Sequence, residues 1–381
     1  MFIAWIAGLC LTSTVHAAQK PPPDPTFAEV TTREFDRWDA NHNGILESSE
    51  IWKAFEDPAN KDVAGAALAA IAYWYYTAPW LPDHPKSFFQ NYRPQKFPPL
   101  PKDTPPAEAA RIRRERAMAG PTLQWEYTAA LWRLRHAPTF LFSPEGPKLS
   151  DVHEGWGYCW FISHVGAVVH RDPYEIKQMI HETDKGYHVT FPDDVTVDLP
   201  PLTDAQRGIY DVKVDNGLWV RVLRMAFFRR PPVTLRGPKG NLYPHVAKAM
   251  EGLTGFAMKA VPLVNDYAKV VPTENLDRLA TDVRRQLTQT LAAKKLVIVD
   301  SGLVPLPFGM TGNHSYAAFN FDPENDTVTL WNPWGDTSRP RAVPGRDPDY
   351  PRTGGVFTVP LKVMVRSFKV MYFELNDLYR R

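Results

Sequence analysis

Apolar positions recur at helical spacing from Thr26 to about Tyr76: Phe35 and Trp38 precede a polar loop, Ile51 and Phe55 follow it, and Ala64 to Tyr76 reads as a further apolar helix. Helical patterns return at Leu123–Arg135, Cys159–His170, Pro173–His181, Gly217–Phe228 and Leu276–Ala293. A hairpin is predicted from Tyr187–Phe191 and Val195–Leu199 around Pro192-Asp193-Asp194. After the last helix the pattern turns to strands, at Leu296–Val299, His314–Asn320, Thr327–Trp331, Gly355–Val359 and Val370–Glu374. Helices first and strands second predict an α+β fold rather than an alternating parallel sheet. No internal repeat is visible.

Composition changes this picture in a few places. The 37 prolines are about twice the usual share of roughly 5%. They concentrate in Pro79–Pro121, which reads as a linker interrupted by a solvated, Arg-rich helix over Arg111–Met118. A formal net charge of +2 creates no field that would collect nucleic acid or anionic lipid, so neither is expected as a partner. Phe2–Val15 is an apolar run too short to span a bilayer, and small residues follow at Ala17 and Ala18. Residues 1–17 are therefore expected to be a signal peptide, although no Lys or Arg precedes Lys20, and the protein to be secreted or periplasmic without stable membrane insertion. Removing that segment leaves one thiol, Cys159.

Asp39-Ala40-Asn41-His42-Asn43-Gly44-Ile45-Leu46-Glu47-Ser48-Ser49-Glu50 matches the twelve-residue EF-hand loop at every position the chemistry constrains. The expected calcium ligands are Asp39, Asn41, Asn43, the Ile45 carbonyl, Glu47 and bidentate Glu50, with Gly44 allowing the sharp turn. Such hands normally pair through their loops. Asp57–Asp62 offers a degenerate partner but lacks the Gly and the terminal Glu.

Cys159 follows Gly155-Trp156-Gly157-Tyr158 and precedes an apolar helix, which places the thiol at a helix N-terminus where amides and dipole favour a thiolate. A small buried cysteine is the alternative. Among the 11 histidines, His314 heads a strand behind the turn Thr311-Gly312-Asn313, expected to be flexible. Asn332 ends the next strand eighteen residues later, close enough in an antiparallel pair to hold the imidazole, with Trp334 shielding that bond. Cys, His and Asn far apart in sequence form the arrangement of a papain-like thiol enzyme. His164, His170, His181 and His188 lack metal-ligand spacing and are expected on surfaces or helix faces.

Asp151 to Phe161 resembles the Gln-Gly-x-Leu-Gly-Asp-Cys-Trp segment of the calpain family of cysteine peptidases. Asn313-His314-Ser315-Tyr316 and Leu330-Trp331-Asn332-Pro333-Trp334-Gly335 resemble that family's His-Ala-Tyr and Arg-Asn-Pro-Trp-Gly elements, and Asp215 to Leu223 its Gly-Leu-Trp helix. The likeness spans about residues 138 to 374 and implies a two-lobed papain-like core with a helical lobe carrying Cys159, a β-rich lobe carrying His314 and Asn332, and a peptide cleft between them. Two departures stand out. The family's oxyanion Gln is absent, its place falling on His153 by spacing or Glu154 by flanking likeness, and the Asp before the Cys is Tyr158. An imidazole can donate to an oxyanion, whereas a carboxylate repels it.

The expected organisation is a signal peptide at 1–17, an EF-hand helical region at 26–78, a Pro-rich linker at 79–121 and a calpain-like catalytic domain at 122–381, with lobes at about 138–235 and 236–381. The expected activity is calcium-binding thiol endopeptidase, acting on protein or peptide through Cys159, His314 and Asn332 with His153 as oxyanion donor. The alternatives are a pseudoprotease that binds peptides or partners, suggested by the missing Gln, a transglutaminase-type acyltransferase, weakened by Asn in place of Asp, and a calcium-dependent scaffold.

Overall fold

The computed structural model describes residues 23–77, 83–94, 101, 104, 108, 112, 122–153, 158–209, 217–230, 244–263, 273–302, 310–335 and 350–378. The leader expected at 1–17, Glu154 and, apart from Ile112, the helix expected over Arg111–Met118 lie outside these residues.

Helix α1 (Phe27–Trp38) starts at a capping box, in which the Thr26 side chain accepts from Glu29 N–H and the Glu29 carboxylate accepts from Thr26 N–H. Its apolar positions put Phe27, Val30, Phe35 and Trp38 on one buried face. The polar loop then passes through β1 (Ile45–Leu46) into α2 (Ser48–Glu56), followed by α3 (Val63–Thr77), β2 (His84–Pro85) and α4 (Lys86–Gln90). β1 pairs antiparallel with β2, Leu46 opposite His84. The loop's partner strand is thus His84–Pro85, inside the stretch read as linker, rather than Asp57–Asp62. That segment is instead a turn held by Asn60, which accepts from Trp38 Nε1 at 3.0 Å and donates to the Ala54 carbonyl at 2.8 Å.

Helix α5 (Leu123–His136) was expected to open the catalytic body, yet it buries Leu123, Tyr127, Ala130 and Leu131 in the hand's core. Beyond it come α6 (Cys159–Arg171), α7 (Pro173–Met179), β3 (Ile180–Thr183), β4 (Gly186–Thr190), β5 (Thr196–Leu199), α8 (Asp204–Arg207), α9 (Trp219–Arg229) and α10 (Pro244–Thr254). The helix predicted to reach His181 stops at Met179, because Ile180–Thr183 pairs with β4 and turns the predicted hairpin into a three-stranded meander. His164 is not on an open helix face: it is fully buried in α6 and donates from Nδ1 to the Trp160 carbonyl.

The rest of the chain builds one antiparallel sheet from β6 (Phe256–Pro262), β7 (Val297–Ser301), β8 (Ser315–Asp322), β9 (Thr327–Trp331), β10 (Val356–Pro360) and β11 (Phe368–Leu378), in the order β10-β9-β8-β7-β11-β6. Helices α11 (Thr273–Ala292) and α12 (Leu361–Ser367) accompany it. Both faces are buried. Ile298, Ala317, Trp331, Val370 and Tyr372 face the core shared with α6, while Val297, Val299, Tyr316, Leu330 and Met371 face the core shared with α11 and α12. Two covered faces explain why these strands read as continuous apolar runs. The fold is α+β, with helices gathered in the first part and strands in the second. Among the described residues no helix is long and apolar enough to cross a membrane.

Candidate functional site

Three segments that are distant in sequence meet where α6 lies against the end of the sheet. Cys159, half-exposed, is the first residue of α6. The Tyr158 carbonyl accepts from Phe161 N–H and Ile162 N–H, both at 2.9 Å, so the amides of Cys159 and Trp160 precede the first bonds of the helix ladder. That is the end at which the helix dipole favours negative charge.

Midway along the same helix, Gly166 lies so close to Trp331 that an added Cβ would fall 2.1 Å from the indole ring. Trp331 immediately precedes Asn332, so the helix that begins at Cys159 is seated directly on the strand that leads into Asn332. The far end of the helix is tied down as well: Arg171 binds the fully buried Glu374 of β11 at 2.8 Å and Glu175 of α7 at 2.7 Å.

His314 heads β8 and is 3% exposed. Its Nε2 stands 2.8 Å from Asn332 Oδ1, and Asn332 itself is fully buried. Trp334 N–H donates to the same Oδ1 at 2.9 Å, which an amide nitrogen could not accept; the oxygen is therefore the atom facing His314. Nε2 must then carry the ring proton, which leaves Nδ1 as the basic nitrogen. Trp334 covers the ring with centroids 4.5 Å apart. Burial pulls the imidazole down to about 4, against the opposing pull of the Asn332 bond, so the ring is a neutral base at pH 7.

The turn before His314 is pinned rather than flexible. Ser301 Oγ donates to the Thr311 carbonyl at 2.8 Å and accepts from His314 N–H at 3.0 Å, while Thr311 N–H donates to the Tyr316 hydroxyl at 2.6 Å. Burial pushes that hydroxyl up to about 12, and among smaller contributions the charge of Cys159 pushes the same way. Tyr316 in turn stands edge-on to His314 with centroids 5.0 Å apart. Thiol, imidazole and amide thus share one neighbourhood. His153 belongs to it too, since its Cδ2 lies 3.9 Å from where Gly335 would carry a Cβ.

No protein-family model matches the chain, and no curated protein matches it.

The polar loop closes on itself through its own oxygens. Asp39 accepts from Asn43 N–H at 3.2 Å and Gly44 N–H at 2.9 Å, and Glu50 accepts from Asn41 N–H and Glu47 N–H, both at 3.1 Å. The amides of Asn41 and Asn43 each donate to Glu47 at 2.8 Å. Gly44 takes φ +79°, the left-handed conformation the sharp turn requires. Asp39 and Glu50 are buried carboxylates at the two ends of the loop. Asp39, Asn41, Asn43, Glu47 and Glu50 are thereby joined in one hydrogen-bonded network, and their carboxylate and amide oxygens are of the hard kind that calcium takes. Among the described residues no three His, Cys, Asp or Glu side chains gather into a metal cluster.

Sequence patterns pointed to Cys159, His314, Asn332 and Trp334, but not to Ser301, Gly166 or Arg171. Nothing in a local window marks a serine or glycine as the contact that sets two distant segments against each other.

Proposed function

We propose that the protein is an exported, calcium-binding cysteine endopeptidase of the calpain-like kind, with a papain-like two-lobed core. The observation that carries this reading is the His314 Nε2 to Asn332 Oδ1 bond at 2.8 Å, buried under Trp334, in a neighbourhood that includes the head of the Cys159 helix. With Nε2–H committed to Asn332, Nδ1 of the neutral ring takes the Cys159 proton. The thiolate attacks a peptide carbonyl, giving a tetrahedral oxyanion that the Cys159 N–H stabilises at the helix end. His314 then delivers its proton to the leaving amine. The resulting thioester is hydrolysed by water, which His314 activates in the same way. His153, beside Gly335, supplies a second donor in place of the family's Gln. Asp39, Asn41, Asn43, the Ile45 carbonyl, Glu47 and Glu50 would hold a calcium ion, whose positive charge would offset the loop carboxylates and tie the two ends of the loop together.

The test is the pH dependence of Cys159 alkylation by iodoacetamide, combined with labelling by a peptidyl epoxide. Rapid alkylation well below pH 8, slowed in His314→Ala, is expected. A thiol that titrates near the free value of about 8.5 and ignores the epoxide defeats the peptidase reading.

A further inference from the structure

We propose that Tyr158 is the positioning residue through which the EF-hand module sets the nucleophile, an inference that rests on Cys159 being that nucleophile. Among the described residues, Tyr158 is the one partly buried hydrophobic side chain packed against both the hand's core and the core shared by α6 and the sheet. Its ring meets Phe228 with centroids 4.8 Å apart, and the Arg224 guanidinium lies 5.6 Å from its centre. Its carbonyl accepts the first two bonds of α6. A shift of the ring therefore moves the helix turn on which the sulfur sits, relative to an imidazole fixed on the sheet by Ser301 and Asn332.

The hand is held firmly enough to act as that support. Thr203 Oγ donates to the Phe55 carbonyl at 2.8 Å in a buried contact, Asp62 N–H donates to Asp204 at 2.8 Å, and Arg229 pairs with Glu56 at 2.8 Å. Ala205 and Ile209, which follow β5 in the catalytic body, are fully part of the hand's core. The long Pro-rich stretch thus separates hand and thiol in sequence only. The substitution of Tyr for the Asp that the resemblance places before the cysteine has a physical meaning: an aspartate offers no ring to wedge between two cores.

The experiment measures the pH midpoint and rate of Cys159 alkylation in the full chain, together with thermal melting. Tyr158→Phe keeps the ring and should stay within about twofold of wild type, whereas Tyr158→Ala should alkylate about tenfold more slowly at pH 7, its midpoint moving toward the free value of about 8.5. Tyr158→Leu serves the same purpose if the alanine variant fails to melt cooperatively. On the hand side, Ile209→Ala should slow alkylation in the wild-type background and add nothing in Tyr158→Ala. A folded Tyr158→Ala or Tyr158→Leu with the wild-type midpoint, or fully additive effects with Ile209→Ala, overturns the inference and leaves the nucleophile reading standing. A wild-type midpoint already near 8.5 overturns both.

Discussion

The polar loop at Asp39–Glu50 and the thiol site solve the same problem, gathering polar atoms against their hydration, by opposite routes. The loop collects its oxygens from twelve consecutive residues and holds them by hydrogen bonds within that window. The thiol site collects Cys159, His314 and Asn332 from α6, the head of β8 and the end of β9, and holds them by packing between cores. A change in the loop is therefore felt mainly within that window, reaching the thiol only by way of Tyr158. A change far from the sulfur, on the helix or under the sheet, reaches the chemistry.

The sharpest break between the two regions comes from His314→Ala. Peptide hydrolysis should fall about 10⁶-fold, as when the general base of such a triad is lost, while calcium affinity measured by calorimetry stays at the wild-type value. Loss of calcium binding in this variant would show the two regions to be one cooperative site.

The next effect is on stability. His314 has a folded-state value of about 4, below its unfolded value of about 6.5, so the unfolded chain binds the extra proton between those values. Its contribution is intact above pH 6.5 and is lost as pH falls toward 4, by about 3 kcal/mol. Denaturation of wild type and His314→Gln across that range isolates this contribution from other buried acids such as Asp300, whose value burial raises to about 6. Parallel pH curves for the two proteins would contradict the burial argument.

Gly166→Ala probes the seating of the helix. In an open helix the change stabilises by about 1 kcal/mol, but here the new methyl meets the Trp331 ring, and overpacking costs about 1–3 kcal/mol. A net loss of stability with slower alkylation of Cys159 is expected, partly restored in the double variant with Trp331→Phe. A gain in both would mean that α6 can move without consequence.

The smallest expected effect on chemistry comes from Glu50→Gln, which should weaken calcium binding by tenfold or more yet change hydrolysis only through Tyr158, by a few-fold. Equal calcium affinity in variant and wild type would remove Asp39–Glu50 as the binding loop.

How much could be read in advance differs between the regions for the same reason. The loop's residues, its glycine and the flanking Phe35, Trp38 and Ile51 are local signals, and the structure closes the loop with them. Strand β9 coincides with its predicted bounds, Thr327–Trp331, because apolar runs between turns mark covered strands well. Strand β3 was missed because Ile180–Thr183 continues a helical pattern and becomes a strand only by pairing with β4. Strand β6, at the sheet edge with Lys259 exposed and Pro262 at its end, carries little strand signal of its own.

The α+β character, the oxygen-rich pattern of the loop and the singling out of Cys159, His314 and Asn332 were legible in advance, because each is written in short-range spacing or residue chemistry. The pairing of His84–Pro85 with the loop, the facing of His314 Nε2 to Asn332 that leaves Nδ1 basic, the seating of α6 on Trp331 at Gly166, and the contact of Tyr158 with the core around the loop emerge only when the chain is folded. These are contacts between surfaces far apart in the chain. Their energies depend on the fit of one folded element against another, which no window of sequence contains.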